Sequence, residues 1–189
     1  MKRYIVLLGA ILVTTGLSAQ NSCNYRIQID TEEEVFKITE EKLVEFMLAP
    51  KNSVFIYFSL MKQDEYASLV MQVSVNAVEM PPIMCFDSRS RVTFKLADDS
   101  YVALPYLDDV NCGEQTDHTD RLDNSTSEAA FFIDESAMEK LQQSEIVSMR
   151  LTSMKTNFDV EFQKVISNQD IPVPIYPREY FINTLHCVE

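Results

Sequence analysis

Glycine is the residue whose scarcity says most about this sequence of 189 residues, which has three: Gly9, Gly16 and Gly113. The first two fall in an N-terminal segment that resembles a secretory signal, so one glycine is expected in the mature chain. Nucleotide-binding loops and the G-x-S-x-G nucleophile elbow need grouped glycines, because their backbone approaches a phosphate closely or adopts positive φ. The sequence therefore excludes dinucleotide-binding, P-loop and α/β-hydrolase proteins of the ordinary kinds.

Histidine and tryptophan are also scarce. The sequence has His118, His186 and no tryptophan, and it contains no C-x-x-C pair, so the usual ligand sets of a zinc site are missing. His186 precedes Cys187, which raises the alternative of a nucleophile and its base. We favour another role for His186, a cation at a helix C-terminus, if Cys187 lies in a disulfide.

Positive charge is in short supply as well. Lysine and arginine number 16 against 29 acidic residues, which gives a formal net charge of −13. Such a surface repels nucleic acid and anionic lipid, so neither is expected as a partner. Hydrophobic residues make up 46% of the chain, which predicts a folded core rather than disorder.

The first nineteen residues, MKRYIVLLGAILVTTGLSA, have the three parts of a secretory signal peptide. Lys2 and Arg3 supply the positive start, residues 5–17 the apolar run, and Ser18-Ala19 the cleavage site before Gln20. No later stretch is apolar enough to span a membrane. We predict that residues 1–19 are a signal peptide and that residues 20–189 form one secreted or periplasmic domain. Loss of two positive charges takes the net charge from −13 to −15.

A lipoprotein anchored through Cys23 is the alternative to simple export. The three residues before that cysteine are Gln20, Asn21 and Ser22, where a lipobox needs leucine first and glycine or alanine last. Lipidation would also leave an odd number of thiols in an exported chain. We therefore favour a chain that is not lipidated.

The apolar patterns predict an α+β fold with a mostly antiparallel β-sheet and two or three short helices. The strongest strand signals are residues 54–61 and 66–78, expected as a central antiparallel pair. A polar loop is expected from Asp108 to Ser127. Helices are predicted over residues 40–49 after Thr39, 135–143 after Asp134 and 178–186 after Pro177. Further strands are predicted at residues 25–30, 91–96, 101–104, 129–133, 145–152 and 157–163.

A predicted hairpin lies between Cys85 and Cys112. A turn at Asp98-Asp99 would place Leu96 opposite Tyr101, and the same register brings the two cysteines near each other. We predict a structural disulfide between them, as suits an oxidising compartment. Cys23 and Cys187 would then join the two chain ends, although four cysteines allow three connectivities.

The polar loop carries the candidate metal ligands. Asp117, Asp120 and Asp123 offer carboxylates for calcium, the one ion this sequence suggests. An EF-hand beginning at Asp117 fails, because Thr119, Arg121 and Leu122 stand where ligands and a glycine are needed. A solvated loop without a cofactor is therefore the favoured interpretation.

The aromatic residues of the predicted strands allow two interpretations. They could line a ligand or glycan surface, although core packing is the commoner role. Asn124-Ser125-Thr126 is a formal glycosylation site. The aromatic candidates are Phe55, Tyr57, Phe58, Tyr66, Tyr101 and Tyr106.

Three segments resemble the uncharacterised small secreted proteins of Bacteroidetes. They are the signal ending LSAQ, the hairpin RVTFKLADDSYVAL and the segment FFIDESAMEKLQQSEIVSMRL. The resemblance covers about the middle half of the mature chain, and it implies a secreted or periplasmic domain without an assigned activity. Where those proteins often have Asp-Gly in the hairpin turn, this sequence has Asp98-Asp99.

Two functions from different classes remain. The first is a non-enzymatic binding domain for a protein or another envelope component. The second is a secreted hydrolase, whose catalytic carboxylates the sequence cannot locate among 29 acidic residues. No catalytic residue is assigned. A pocket with converging carboxylates would favour the hydrolase.

Overall fold

The structure is a computed structural model that describes residues 23–118, 122–168 and 171–189. The predicted signal peptide and the residues before Cys23 lie outside this part of the chain. The strands are β1 (Tyr25–Asp30), β2 (Val35–Thr39), β3 (Lys42–Ala49), β4 (Asn52–Gln63), β5 (Tyr66–Ala77), β6 (Cys85–Phe86), β7 (Arg91–Leu96), β8 (Tyr101–Pro105), β9 (Asn111–Cys112), β10 (Glu114–Thr116), β11 (Asp123–Ile133), β12 (Ile146–Thr152), β13 (Asn157–Glu161), β14 (Ile166–Asn168) and β15 (Ile171–Ile175). The α-helices are α1 (Glu135–Gln143) and α2 (Tyr180–Thr184).

The larger of the two main sheets has seven strands in the order β1-β2-β4-β5-β11-β10, with β3 also pairing with β4. All its pairings are antiparallel, and β4 and β5 pair along their whole lengths. The predicted central pair is therefore confirmed. The turn between these strands is two residues long, with Asp64 at a φ of 52°.

The smaller main sheet has four antiparallel strands in the order β13-β12-β7-β8. Val92, Phe94 and Leu96 point from β7 into the core, and the residues between them point outward. The prediction of a mostly antiparallel sheet protein is confirmed. Two short pairs, β6 with β9 and β14 with β15, complete the strands of the described chain.

The two sheets share one hydrophobic core in which Phe58 is central. Its ring lies 6.0 Å from Phe94 of the smaller sheet and 6.1 Å from Phe162, measured between centroids. It also lies 5.3 Å from Tyr180 and 6.2 Å from Phe181, both on α2. Phe58 therefore packs both sheets and the C-terminal helix together.

The helix predicted over residues 40–49 is wrong, because this segment is strand β3. Leu43, Phe46 and Met47 have helical spacing, but the segment pairs with β4 through a bulge between Leu43 and Glu45. Thr39 does not cap a helix; its hydroxyl accepts the Leu60 N–H at 2.9 Å. Pairing with β3 satisfies the backbone hydrogen-bonding groups of β4. This gain outweighs the helical preference that the local sequence shows.

The predicted hairpin exists, but its register differs by one residue. Lys95, rather than Leu96, lies opposite Tyr101. The loop holds three residues because Asp99 adopts a positive φ of 64°, the left-handed conformation that closes a three-residue hairpin. Cys85 and Cys112 lie directly opposite each other in the separate β6–β9 pair. The sequence predicts only that the two cysteines are near each other, so the structure is more specific than the prediction.

The polar loop predicted from Asp108 to Ser127 is also partly wrong. This stretch contains β9, β10 and the first half of β11, so the strand predicted at residues 129–133 begins at Asp123. Gly113 between β9 and β10 has no space for a side chain. A Cβ there would lie 2.4 Å from the Thr126 carbonyl oxygen. Gly113 thus permits a close approach of the backbone to strand β11.

The other two helices lie where they are predicted. Asp134 caps α1, its carboxylate accepting the Ala137 N–H at 2.7 Å. The C-terminal segment forms α2 between two 3-10 turns, Pro177–Glu179 and Leu185–Cys187. Its predicted apolar side, including Tyr180 and Thr184, is buried.

Both expected disulfides are present in the structure. Cys85 bonds to Cys112, and Cys23 bonds to Cys187, across a sequence separation of 164 residues. The second bond joins the chain before β1 to the turn after α2. The Tyr25 hydroxyl donates to the Cys187 carbonyl at 2.7 Å beside it. None of the helices in the described chain is long and apolar enough to cross a bilayer.

Candidate functional site

The predicted calcium ligands are only partly described. Asp117 is exposed, and Asp123 is half-buried and accepts the His118 N–H at 3.1 Å. Asp120 lies outside the described residues. The carboxylate of Asp123 thus stabilises the local backbone, and calcium binding stays a prediction.

One cluster of metal-ligand side chains occurs among the described residues, namely Cys23, His186 and Cys187. Both sulfurs belong to one disulfide, so neither is a thiolate that could bind a metal or attack a substrate. His186 Nε2 lies 3.6 Å from the Cys187 sulfur. The nucleophile–base alternative therefore has no nucleophile.

The six aromatic candidates do not form one surface. Phe58 and Tyr106 are buried, with Tyr106 packed 6.0 Å from Phe131. Tyr101 is on the outward side of the smaller sheet. Phe55, Tyr57 and Tyr66 remain, and all three point away from the core on the larger sheet.

The outward side of the smaller sheet is polar, as is usual for a sheet face in water. Arg150 of β12 forms an ion pair with Asp159 of β13, with 2.6 Å between Nε and Oδ1. The Arg150 guanidinium lowers the pKa of Asp159 below its ordinary value, chiefly by hydrogen bonding. The same side carries Arg91, Thr93, Lys95, Tyr101, Ser148, Thr152 and Glu161.

The outward side of the larger sheet has the opposite character. Its outward positions alternate along each strand with residues of the core, and a continuous part of them is apolar. We call this part the apolar outer face. It consists of Ile27, Ile29, Phe36, Ile38, Leu43, Phe46, Phe55, Tyr57, Met61, Tyr66, Val70 and Phe132.

Side chains on the apolar outer face pack against one another across strands. The Phe55 ring stacks between Phe46 and Tyr57, with 6.5 Å between centroids on each side. Tyr66 of β5 lies 6.0 Å from Phe132 of β11. Burial raises the pKa of Tyr57, and the charge of Glu41 raises it further. The surface is ordered by these contacts while several side chains stay accessible.

Charge is sparse on this side of the larger sheet, where Glu114 of the edge strand β10 lies opposite Thr126. At the outward positions of β2, β4, β5 and β11, all fully described, Glu128 is the one charged residue. Ser59 at the centre is 1% exposed, and its hydroxyl has no hydrogen-bond partner within the described chain. Ile27 is 42% exposed and Tyr66 63% exposed. In a chain of net charge −13, such a surface needs a specific explanation.

A separate cleft at the edge of the molecule contains carboxylates. Glu45, Asp159 and Glu161 line it, and its volume is about 250 Å³. Glu45 Oε1 accepts the Phe46 N–H at 2.9 Å, whereas its Oε2 is buried with no hydrogen-bond partner in the residues that the structure describes. Asp159 forms an ion pair with Arg150, whereas Glu45 and Glu161 form no ion pair with the residues that the structure describes.

The formal glycosylation site lies on strand β11. The Asn124 side-chain amide donates to Ser74 Oγ at 3.0 Å and to Asn76 Oδ1 at 3.0 Å. A glycan on that nitrogen would remove these bonds. The position therefore suits a structural asparagine.

Sequence reasoning missed the apolar outer face, although one signal for it was present. Residues 54–61 are apolar at almost every position, a pattern that is typical of a strand buried on both faces. The structure has the core on one face of β4, whereas on the other face Leu107 and Asp108 approach Met61 from the rim and residues such as Tyr66 stay exposed. Glu45 and Asp159 were missed because residues distant in sequence meet at the cleft.

The comparisons with known proteins give no relative of this chain. Neither a protein-family model, nor a curated protein, nor a solved structure matches it.

Proposed function

We propose that this chain is an extracytoplasmic, non-enzymatic binding domain that docks a partner protein on its apolar outer face. The observation that carries the proposal is the contrast between the two outward sides. One is polar and ion-paired, whereas the other is apolar and almost uncharged. The two disulfides and the predicted signal peptide support a location outside the cytoplasm.

The size of the face supports a protein as its occupant. It extends over five neighbouring strands and about six residues along β4, or roughly 20 Å in each direction at ordinary strand spacing and rise. Monomeric proteins seldom expose a larger continuous apolar patch, and a standard protein interface buries about 800 Å² on each partner. A small ligand would cover a fraction of it.

The lack of charge defines the partner's chemistry. A cationic partner would find few carboxylates here, although the rest of the chain is acidic. An apolar, uncharged protein surface with aromatic or aliphatic side chains is complementary, because contact with it buries no unpaired charge. We therefore commit to another exported protein with such a surface, and a second copy of this chain is an outcome of the test.

Charge placed on the apolar outer face is expected to abolish docking. The variants are Ile27→Glu and Tyr66→Glu, both at accessible positions. The matched control is Tyr101→Glu on the polar side, because Tyr101 is 62% exposed and Tyr66 is 63% exposed. Tagged mature protein is incubated with the exported fraction of the source cells, and retained proteins are quantified. A partner should be retained by the control at the wild-type level and reduced at least about tenfold by both face variants.

Three outcomes contradict this proposal. Equal loss in the Tyr101 control would show a general effect of charge, and retention by the face variants would place docking elsewhere. Sedimentation that shows a wild-type dimer, broken by the same two variants, would identify a second copy as the occupant. Unfolding curves of all variants check that each protein is folded.

A hydrolase acting at the carboxylate cleft is the second candidate, favoured by the buried, unpartnered Glu45 Oε2 among three carboxylates. A catalytic acid or base needs an unpaired oxygen near the substrate, and Glu45 Oε2 would reach a substrate only after a shift of the residues that bury it. We expect the wild-type protein to cleave members of a panel of nitrophenyl glycosides and Glu45→Gln to lose at least about a hundredfold in kcat. Glu65→Gln, at the exposed β4–β5 turn, is the control. Absence of cleavage by the wild-type protein rejects this candidate.

A further inference from the structure

A cavity of about 470 Å³ opens on the apolar outer face, where strands β4, β5 and β11 meet the segment that follows β8. We call it the rim cavity, and its volume lies within the ordinary range for binding pockets. It exists because two outward residues, Ser68 of β5 and Ala130 of β11, are small. Their outward neighbours Met61, Tyr66 and Phe132 are large, and Ser68 lies directly opposite both Met61 and Phe132.

The segment after β8 forms the outer wall of the rim cavity, and hydrogen bonds hold this segment in place. The Leu107 N–H donates to the Ala130 carbonyl of β11 at 3.2 Å. The Tyr106 hydroxyl donates to the Asp109 carbonyl at 3.0 Å, which closes the turn that carries Asp108. Leu107 and Asp108 therefore lie at the opening in positions that are set before any partner binds.

The aromatic rings of the rim cavity are accessible. Tyr66 is 63% exposed, and its ring centroid lies 6.0 Å from that of Phe132, with 59° between the ring planes. Leu107 completes the apolar wall and is 50% exposed. Aromatic ring faces attract cations as well as apolar groups, because their π electrons make each face negative. The cavity thus suits either an apolar side chain or a cation with an apolar stem.

The charge at the opening decides between these two occupants. Asp108 is the one charged residue among the described residues that line the rim cavity. It is exposed, and it forms no ion pair with any residue that the structure describes. Asp109 next in the chain and Glu128 on the same outward side of β11 likewise form no ion pair in the described chain. This negative charge favours a cationic occupant.

We infer that the rim cavity binds an arginine side chain of the partner protein. The guanidinium group stacks on Tyr66 and Phe132 and donates hydrogen bonds to the Asp108 carboxylate, and the methylene stem contacts Met61 and Leu107. Lysine fits less well, because its compact ammonium group neither stacks flat on a ring nor binds a carboxylate through two donors.

The inference rests on the proposed function and names one residue type that the partner presents. A single arginine is compatible with a partner surface that is otherwise apolar. Arginine is enriched at protein interfaces, whereas other charged residues are depleted from their centres. Asp108 lies at the rim of the apolar outer face, so the pair of charges stays next to water and avoids the cost of full burial.

Blocked amino acids test the rim cavity without the partner. The probes are N-acetylarginine amide, N-acetyllysine amide and N-acetylcitrulline amide, because citrulline has the shape of arginine without its charge. NMR titration of the isotope-labelled, oxidised mature protein measures their dissociation constants. The arginine probe should bind at least about threefold more tightly than the lysine probe and about fivefold more tightly than the citrulline probe. The largest shift changes should occur at the amides of Ser68, Leu107 and Ala130.

Two results of this titration would overturn the inference. Equal affinities for the arginine and citrulline probes would mean that the cavity does not recognise the charge. No saturable binding, or shift changes confined to other parts of the protein, would mean that the rim cavity is not the site.

Asp108→Asn should weaken binding of the arginine probe at least about fivefold and leave the citrulline probe unaffected. This variant removes the charge, while the asparagine oxygen can still accept the Asp109 N–H that Asp108 Oδ1 accepts at 3.1 Å. Tyr66→Leu should weaken the arginine probe by about two- to fivefold, the usual contribution of one exposed cation–π contact.

The matched controls are Asp109→Asn, which is next in the chain but does not line the cavity, and Tyr101→Leu on the polar side. Each should change the affinity for the arginine probe by less than about twofold, because water and salt screen distant charges. An equal loss from Asp108→Asn and Asp109→Asn would show a general attraction to negative charge and reject the site. Melting temperatures check that all four variants are folded.

Retention of the partner protein separates this inference from the proposed function. In the capture experiment with the exported fraction, Asp108→Asn should reduce the retained partner by about three- to tenfold, and Asp109→Asn should retain it at the wild-type level. Loss of the partner in Ile27→Glu and Tyr66→Glu without any loss in Asp108→Asn would support the docking face and reject the arginine anchor. Retention by all of these variants, or no partner retained by the wild type, would reject both.

Discussion

Removing the disulfide between Cys23 and Cys187 is expected to lower the free energy of unfolding by up to about 5 kcal/mol, the chain-entropy value for a loop of this length. The bond spans 164 residues, so the unfolded chain without it gains far more conformations than the folded chain does. The variant is Cys23→Ser/Cys187→Ser, and equilibrium unfolding in urea at pH 7 measures the change. Because domains of this size are stable by about 5–15 kcal/mol, the loss is a large fraction of the total.

The second disulfide provides the matched control. Cys85→Ser/Cys112→Ser also replaces two thiols by hydroxyls, but its bond spans 27 residues, for which the same relation gives about 3.5 kcal/mol. A larger loss from the short-loop variant than from the long-loop variant would contradict the entropic account. Reduction of the wild-type protein should reproduce the combined effect.

Phe58→Ala is expected to lower the free energy of unfolding by about 3–5 kcal/mol, the usual range for a phenylalanine deleted from a core. Phe58 is completely buried and contacts the rings of Phe94, Phe162, Tyr180 and Phe181. The cavity left by its ring would loosen α2 against the larger sheet.

Phe55→Ala on the same strand is the control for this prediction. Its side chain is partly buried on the apolar outer face and does not enter the core, so truncation should cost about 1–2 kcal/mol, less than the loss of a fully buried ring. Urea unfolding of both variants gives the comparison. A loss from Phe55→Ala as large as that from Phe58→Ala would mean that the outer side of the sheet is as deeply packed as the core.

Phe55 and Phe58 also show that an apolar run in a sequence does not tell which face of the strand packs on the core. Both residues lie in one apolar run, and their outward and inward directions follow from a period of two once the strand is known. Which direction is inward depends on where Phe94 and Phe162 pack, more than thirty residues away in the sequence. The apolar outer face could therefore be suspected from the run of apolar residues but not located.

The segment 42–49 is the clearest failure of local pattern. Glu40 and Glu41 just before it and its apolar spacing favour a helix over residues 40–49, but such a helix depends on tertiary packing for most of its stability. Strand β4 instead offers a continuous row of backbone donors and acceptors to this segment. The hydrogen bonds formed with these groups outweigh the modest helix preference of a few residues.

The sequence by itself determined the strong elements: the β4–β5 pair, helix α1 with its Asp134 cap, the two hairpin strands around residues 91–105, and the lack of nucleotide-binding and zinc motifs. Each depends on neighbours within a few residues, or on a residue type that is simply missing. Only the tertiary structure decided the identity of β3, the one-residue register of the β7–β8 hairpin, and the side of β4 that faces outward. These depend on contacts between segments far apart in the chain, such as Phe58 with Tyr180 and Lys42, and no local pattern encodes which distant segment will come to lie beside another.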